Sequence, residues 1–382
     1  MMEDRKLTNG GHFPNELQTL ILKAALLEKN EAMNSFLDWL DLSRLNNLDV
    51  KSNSFISEFM DEIDLGSQRL MPLVIENLGV ESHPYFSLFK GYKKNLWVRN
   101  QRIFLAAKEL LDKLSKEGIP TLLIKGISMA NIYYQRIECR PMNDGDILIP
   151  YKYKSKSLKF FREQNKLYRM GREEKNMVEF YHASHFFQNK DTDIDIHWNL
   201  FAEYANHPDS SSFAWEGSQE YNWGGKSTRV LSPTHEFFLA LIHGRHFGEL
   251  PPIRWVPDCV MILRKENGKL DWDEFIRLSK MYNFKPYIQK ALVYFKDNFW
   301  ADLPDEMMKE IAHMPITKDE LLYYHLAAMN IKKHGFLSMF YLGTRRLILI
   351  HRLFANEEPI LKYMLRWYRQ KLIKEIRKLF EK

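Results

Sequence analysis

Residues 121–150 read TLLIKGISMANIYYQRIECRPMNDGDILIP, and the interpretation of the whole chain hangs on this stretch. Thr121 to Lys125 is a short β-type run, Gly126 opens a helical segment through about Gln135, and Asp144 to Pro150 reads as a second strand. Asp144 and Asp146 are one residue apart on that strand, so both carboxylates project from one face. Two carboxylates so close repel each other unless a cation lies between them. Magnesium takes oxygen ligands and leaves room for water and phosphate, which makes a D-x-D pair a suitable base for a metal–triphosphate complex. A glycine where a strand passes into a helix lets phosphate approach the backbone N–H groups, and Lys125 and Ser128 add a charge and a hydroxyl at that turn.

Outward from this stretch, Glu179–Gln188 and Asp193–Phe201 read as two further strands around the turn residues Asn189-Lys190-Asp191. In the second of them Ile194, Ile196, Trp198 and Leu200 share one face, while Asp193, Asp195 and His197 share the other. Asp195 can thus complete a three-carboxylate site, with Asp193 as its competitor. His197 reads either as a polar surface residue or as a hydrogen-bond partner of a metal ligand. Three carboxylates suffice to hold two metal ions roughly 3.5–4 Å apart.

Both ends are helical by periodicity. Glu16–Lys29, Glu31–Trp39, Gly66–Leu78 and Tyr85–Lys116 precede the strands, and six or more helices follow Pro233. The expected fold is α+β: a small mixed-sheet core at 101–230, flanked by helical regions at 1–100 and 231–382. Tyr363–Lys382 is a basic amphipathic stretch that suits docking on its own domain, anionic lipid or RNA. His235, His243 and His246, with Asp258, could suggest a second metal centre, but the H-E-x-x-H pattern of a zinc hydrolase is missing.

Composition narrows the function classes. With 45% hydrophobic and 27% charged residues the chain has the balance of a globular protein. Its polar N-terminus and lack of a long apolar run lead us to expect a soluble, cytoplasmic protein with no transmembrane segment. The two cysteines, Cys139 and Cys259, form no metal or disulfide pattern. A net charge of +6 suits anionic substrates, but is low for a dedicated nucleic-acid binder of this length.

Residues 125–150 resemble the K-G-[AG]…Y…R-P-M-x-D-h-D-h-h-h-P signature of an uncharacterised nucleotidyltransferase family within the DNA polymerase β-like superfamily. The resemblance extends to Arg69-Leu70-Met71-Pro72-Leu73, Trp97-Val98-Arg99-Asn100, Gly118-Ile119-Pro120 and Asp195-Ile196-His197-Trp198. It continues through Leu231-Ser232-Pro233, His243-Gly244 and Arg254-Trp255-Val256-Pro257-Asp258, covering roughly residues 15 to 300.

What the resemblance implies is a magnesium-dependent enzyme (manganese being a substitute) that moves a nucleoside monophosphate from an NTP such as ATP to a hydroxyl acceptor by a two-metal mechanism. Asp144, Asp146 and Asp195 would be the catalytic metal ligands, and Lys125, Gly126, Ser128 and Arg140 would lie against the nucleotide. Arg140 reads equally as a partner for an aspartate. The expected acceptor is a small molecule, peptide or saccharide rather than nucleic acid. Two alternatives are a degraded fold that only binds nucleotide and a toxin-like transferase acting on RNA. Two departures from the signature stand out: Gly145 replaces a large apolar residue, and the Gly-Ile-Ser turn brings its serine one step late. Glycine inside a strand costs roughly 0.5–1 kcal/mol relative to alanine.

Overall fold

The computed structural model describes residues 13–164, 167–170, 181–188, 192–205, 207–245, 252–329, 336–354 and 359–369. Six helices come first: α1 (Glu16–Leu26), α2 (Lys29–Leu42), α3 (Phe55–Asp61), α4 (Leu65–Leu78), α5 (Pro84–Leu88) and α6 (Lys90–Lys116). α1 starts where the sequence signals it, because Asn15 and Gln18 cap each other's backbone N–H groups at 2.8 and 3.1 Å. α6 runs unbroken through residue 100, where the sequence reading divides the first helical region from the core, and ends at Lys116 just before β1.

The sheet has seven strands among the described residues: β1 (Leu122–Leu123), β2 (Gly145–Leu148), β3 (Arg169–Met170), β4 (Ala183–Phe187), β5 (Asp193–His197), β6 (Gln219–Trp223) and β7 (Lys226–Val230). Their spatial order is β3-β4-β5-β2-β1-β7-β6, with β2·β5 and β1·β7 parallel and every other pair antiparallel. The β6–β7 hairpin was not expected. Its signal is present in the sequence as Gly224-Gly225, which takes positive φ (58° and 86°) between two alternating runs.

Helices α7 (Lys125–Ile132), α8 (Lys154–Glu163) and α9 (Ser212–Glu216) are interleaved with the strands. Further helices follow: α10 (Pro233–His243), α11 (Trp255–Lys265), α12 (Trp272–Met281), α13 (Lys285–Asn298), α14 (Asp305–Ala312), α15 (Lys318–Ala328) and α16 (Phe336–Phe354), and residues 360–369 are helical as well. The short helices α3 and α14 add to those read from periodicity. Residue His246 and positions 370–382, most of the basic terminal stretch, lie outside the described residues.

Two hydrophobic bodies sandwich the sheet. On one face Ile147, Ile194, Ile196 and Trp198 pack with Ile103, Leu110 and Leu114 of α6 and Leu158 and Phe161 of α8. On the other, Leu122, Ile124 and Leu148 join a core that runs from Ile21 to Phe354, shared by both helical arms. The arms touch directly: Phe13 stacks on Tyr287 with ring centroids 5.6 Å apart, and Thr19 Oγ1 lies 3.0 Å from Tyr294 Oη. The fold is therefore α+β, as the sequence pattern implies. No described helix is long and apolar enough to cross a membrane.

Candidate metal and nucleotide site

The site sits on the sheet face that the two arms border. β2 and β5 run parallel in a register that sets Asp146 opposite Asp195 and Leu148 opposite His197. Because alternate residues share a face, the isoleucines of both strands enter the core beneath α6 while the polar residues converge above it. Asp146, Asp195 and His197 each offer a ligand atom, and these atoms lie within 4.8 Å of one another.

Lys125 enters the cluster from the strand–helix turn. Its Nζ donates to Asp146 Oδ1 at 2.9 Å and lies 3.1 Å from His197 Nε2. His197 Nε2 is 3.0 Å from Asp146 Oδ1 and 3.4 Å from Asp195 Oδ2. At φ 51°, Lys125 occupies the left-handed region that non-glycine residues rarely take, at a cost of order 1–3 kcal/mol.

The charges bias one another. Burial opposes ionisation of Asp146, but Lys125 and a hydrogen bond from His197 override it and hold the carboxyl well below its usual range. Burial and Lys125 push the His197 imidazole down, yet Asp195 and hydrogen bonds to both aspartates outweigh them and leave it raised. Asp144 is half-buried, and burial, then the nearby Asp146 and Asp195, raise its carboxyl. His182 stacks edge-on against His197 at 5.5 Å, and burial with His197 pushes it down to about 3. His197, with 1% of its surface exposed, is therefore the centre of the site and not a surface histidine.

The donors present suit a divalent cation. Two carboxylates and an imidazole converge, and Asp195 Oδ1 is buried without a hydrogen-bond partner. Oxygen ligands suit magnesium, and an imidazole nitrogen widens the set toward manganese. Asp144 stands beside this trio but is not one of its three converging ligands. Asp193 turns to His185, whose Nδ1 is 3.1 Å from its Oδ2 and 3.6 Å from Asp195 Oδ1.

The turn and the loop before β2 are built by packing. A Cβ on Gly126 would lie 2.9 Å from Met142 Sδ, so a side chain there would make the Met142 thioether shift where the Arg140-Pro141-Met142 loop lies against α7. Ser128 is fully buried, its Oγ 3.1 Å from both the Lys125 carbonyl and Glu236 Oε2 of α10. Arg140 is also buried and is clamped by Asp258 of α11 through Nε (2.7 Å) and Nη2 (2.9 Å). Tyr134 donates to Asp258 Oδ1, the oxygen that Arg140 Nε also uses, at 2.8 Å. The third nitrogen of Arg140, Nη1, lies 3.9 Å from where a Gly126 Cβ would be. Asn100 of α6 fixes the loop by donating to the Ile137 and Arg140 carbonyls and accepting from Met142 N–H. Sequence reasoning gave Asn100 and Glu236 no role; a buried polar residue inside an apolar helical pattern is the signal that marks them.

Gly145 is filled around, not left as a hole. A Cβ there would meet Ile127 Cδ1 at 2.8 Å and Ile103 Cγ2 and Ile194 Cδ1 at 3.0 Å. Three isoleucines thus supply the apolar volume that the strand residue lacks. The histidines considered for a second metal centre do not assemble one among the described residues: His235 pairs with Glu274 at 2.8 Å, and Asp258 is taken by Arg140. His243 is exposed at the end of α10, near enough to Lys125 and Asp146 to feel their charges.

No curated protein matches the sequence. Among solved structures, an antigenic nucleotidyltransferase-like protein from Paracoccidioides brasiliensis is similar at 11% identity and a TM-score of 0.34, over 56% of this chain and 93% of that one. The family described as "Uncharacterised nucleotidyltransferase" matches residues 66–300, starting later than the sequence resemblance suggests. That span contains the strand–turn–helix junction, the paired strands β2 and β5 and the helix whose Asp258 clamps Arg140, and the chain belongs to this nucleotidyltransferase family.

Proposed function

We propose that the chain transfers a nucleoside monophosphate from an NTP to a hydroxyl acceptor, with magnesium or manganese held by Asp144, Asp146 and Asp195. The observation that carries this reading is the in-register pair Asp146–Asp195, converging with His197 beside the strained turn at Lys125. Bound divalent cations would supply neutralisation of the triphosphate and a more acidic acceptor hydroxyl, by one or two ions.

The chain's own residues do the rest. Lys125 leaves Asp146 to meet phosphate oxygens, the backbone at Gly126 allows the triphosphate close, and Arg140 offers Nη1 while Asp258 holds its other nitrogens. Ser128 stiffens the turn through the Lys125 carbonyl. Asp195 stands on the acceptor side and takes the hydroxyl proton, directly or through water. The acceptor oxygen forms its bond to the α-phosphorus as the bond to the bridging oxygen of pyrophosphate breaks. A small molecule, peptide or saccharide is the favoured acceptor class.

The test is pyrophosphate release and transfer of an α-labelled phosphate from each NTP, with Mg2+ or Mn2+, against small-molecule, peptide, saccharide and RNA acceptors. We expect label transfer to a non-nucleic-acid acceptor that vanishes in Asp146→Asn. Metal-dependent NTP binding without transfer to any acceptor would favour the binding-module reading, and no NTP binding at all would sink both.

A further inference from the structure

Away from the carboxylates, a cleft of about 650 Å³ opens where both helical arms meet α7. α4 presents Leu73, Glu76 and Asn77 to it, and α11 presents Met261, Arg264 and Lys265. Both sets follow the i, i+3, i+4 spacing that puts residues on one side of a helix. Ala25 of α1 and Ile132 of α7 add apolar lining, and the wall continues into Tyr133, Tyr134 and Arg136. None of Asp144, Asp146, Asp195 and His197 lines this cleft. Ile132 closes α7 at the end opposite Lys125, roughly 10 Å away by helical rise.

Several polar groups of the cleft are already engaged. Glu76 takes Arg136 Nε at 2.9 Å on one oxygen and Lys93 Nζ at 3.2 Å on the other. Asn77 donates to the Ala24 and Leu27 carbonyls, and Asn131 bonds the Trp223 indole N–H and the Ile127 carbonyl. Three groups keep capacity to spare. Arg264 donates to the Leu26 carbonyl, but among the described residues neither it nor Lys265 has an ion pair. Tyr133 is 7% exposed, and its hydroxyl has no hydrogen-bond partner among the described residues. Burial, then Glu236 and Glu266, push that hydroxyl far above its ordinary range, so it stays a proton donor. The cations Arg136, Arg264 and Lys265 thus line a cleft whose one carboxylate, Glu76, is shared by two cations. A largely buried donor and unpaired cations above an apolar floor gain most from an anion that brings an apolar body with it.

We infer that this cleft binds a small amphipathic organic anion, a carboxylate on an alkyl or aryl body. Its head meets Arg264, Lys265 and the Tyr133 hydroxyl, and its body lies on Leu73, Ile132 and Met261. The volume suits such a ligand, since sites of roughly 300–1,000 Å³ enclose small molecules on mainly apolar walls with a few fixed polar groups. Occupancy joins α4, α7 and α11, and it touches the segment that leads to the loop before β2. Tyr134, in the cleft wall, donates to the Asp258 oxygen that also takes Arg140 Nε. A ligand there is independent of nucleotide transfer at the carboxylates.

The test is calorimetry and melting curves on the full chain with sodium octanoate. Acetate, which lacks the apolar body, and 1-octanol, which lacks the charge, are the comparisons. Octanoate should bind saturably and raise the melting temperature, and the other two should bind at least about tenfold more weakly. Removing both exposed charges with Arg264→Gln and Lys265→Gln should weaken octanoate by about tenfold, and Tyr133→Phe by about threefold. 1-Octanol should not respond to the loss of charge. Asp146→Asn and saturating Mg–ATP should leave octanoate binding unchanged. Folded Tyr133→Phe and charge-removed proteins that bind octanoate like the wild type would overturn the site, as would the absence of saturable binding. 1-Octanol binding as tightly as octanoate would overturn the anion as its ligand. Loss of octanoate in Asp146→Asn, or its displacement by Mg–ATP, would put the anion at the carboxylates and overturn the cleft as its place.

Discussion

Lys125 Nζ rests 2.9 Å from Asp146 Oδ1, on a carboxylate oxygen that a divalent cation would need. An ammonium therefore stands in for part of the charge that a metal would bring. Lys125→Ala should tighten Mn2+ binding in the absence of NTP, on the order of tenfold, because a competing cation is removed. The same change should lower turnover, since the phosphates lose their lysine. Calorimetric Mn2+ titration of the variant decides the matter, and an unchanged dissociation constant would show that Lys125 does not guard the site.

Asp195 and Asp193 share a face of β5 but keep different company. Asp195 lies with His197 and opposite Asp146, whereas Asp193 is paired with the partly exposed His185. Asp195→Asn should remove turnover, by roughly 100-fold or more, while leaving NTP affinity within a fewfold. Asp193→Asn should change either quantity little. Steady-state kinetics beside equilibrium NTP binding on both variants would expose a reversed assignment.

Glu236 supplies a pH dependence. Burial pushes its carboxyl up to about 8 from an ordinary 4.5. The folded chain thus keeps a proton there that the unfolded chain releases above about 4.5. Stability from this group is fully present below that value and is lost as pH rises through about 8. Glu236→Gln, which cannot ionise and still hydrogen-bonds Ser128, should be more stable than wild type at pH 9 by on the order of 1–3 kcal/mol, with little difference at pH 5. Melting curves across that range test it, and parallel curves for the two proteins would mean that Glu236 ionises normally.

Gly145→Ala should destabilise the chain by about 1–3 kcal/mol, although alanine is the better strand residue, because the new methyl meets three isoleucines. A simultaneous Ile127→Val should recover part of the loss by making room. Urea denaturation of the single and double variants measures both effects, and a stabilised single variant would contradict the packing described.

The fold class and the convergence of Asp146 with Asp195 were legible in the sequence for a physical reason. Alternation in Asp193–His197 fixes which face Asp195 takes, and the pairing of β2 with β5 sets Asp146 opposite it, whereas Asp144 falls just before β2 and outside the converging trio. Three things were not legible. The space that Gly145 leaves is filled by residues far away in the chain, so the strand alone reads as weakened. His197 looks like a surface residue by type, and only the pairing of β2 with β5 and the approach of Lys125 bury it. Gly224-Gly225 was a hairpin signal between runs with little apolar character, since Gln219–Trp223 is exposed along most of its length.

The Arg140–Asp258 clamp has a bearing on how this protein can be taken apart. One partner belongs to the loop before β2, the other to a helix 118 residues later, and both are buried. A fragment ending at the last strand would leave a buried guanidinium with no counter-ion, and the loop that aims Asp144 and Asp146 would lose its anchor. Trimming to a minimal catalytic piece, or exchanging the C-terminal helices for those of a relative, would thus disturb the carboxylates themselves. Point substitutions around the carboxylates will therefore leave this anchor intact where an exchange of modules would not.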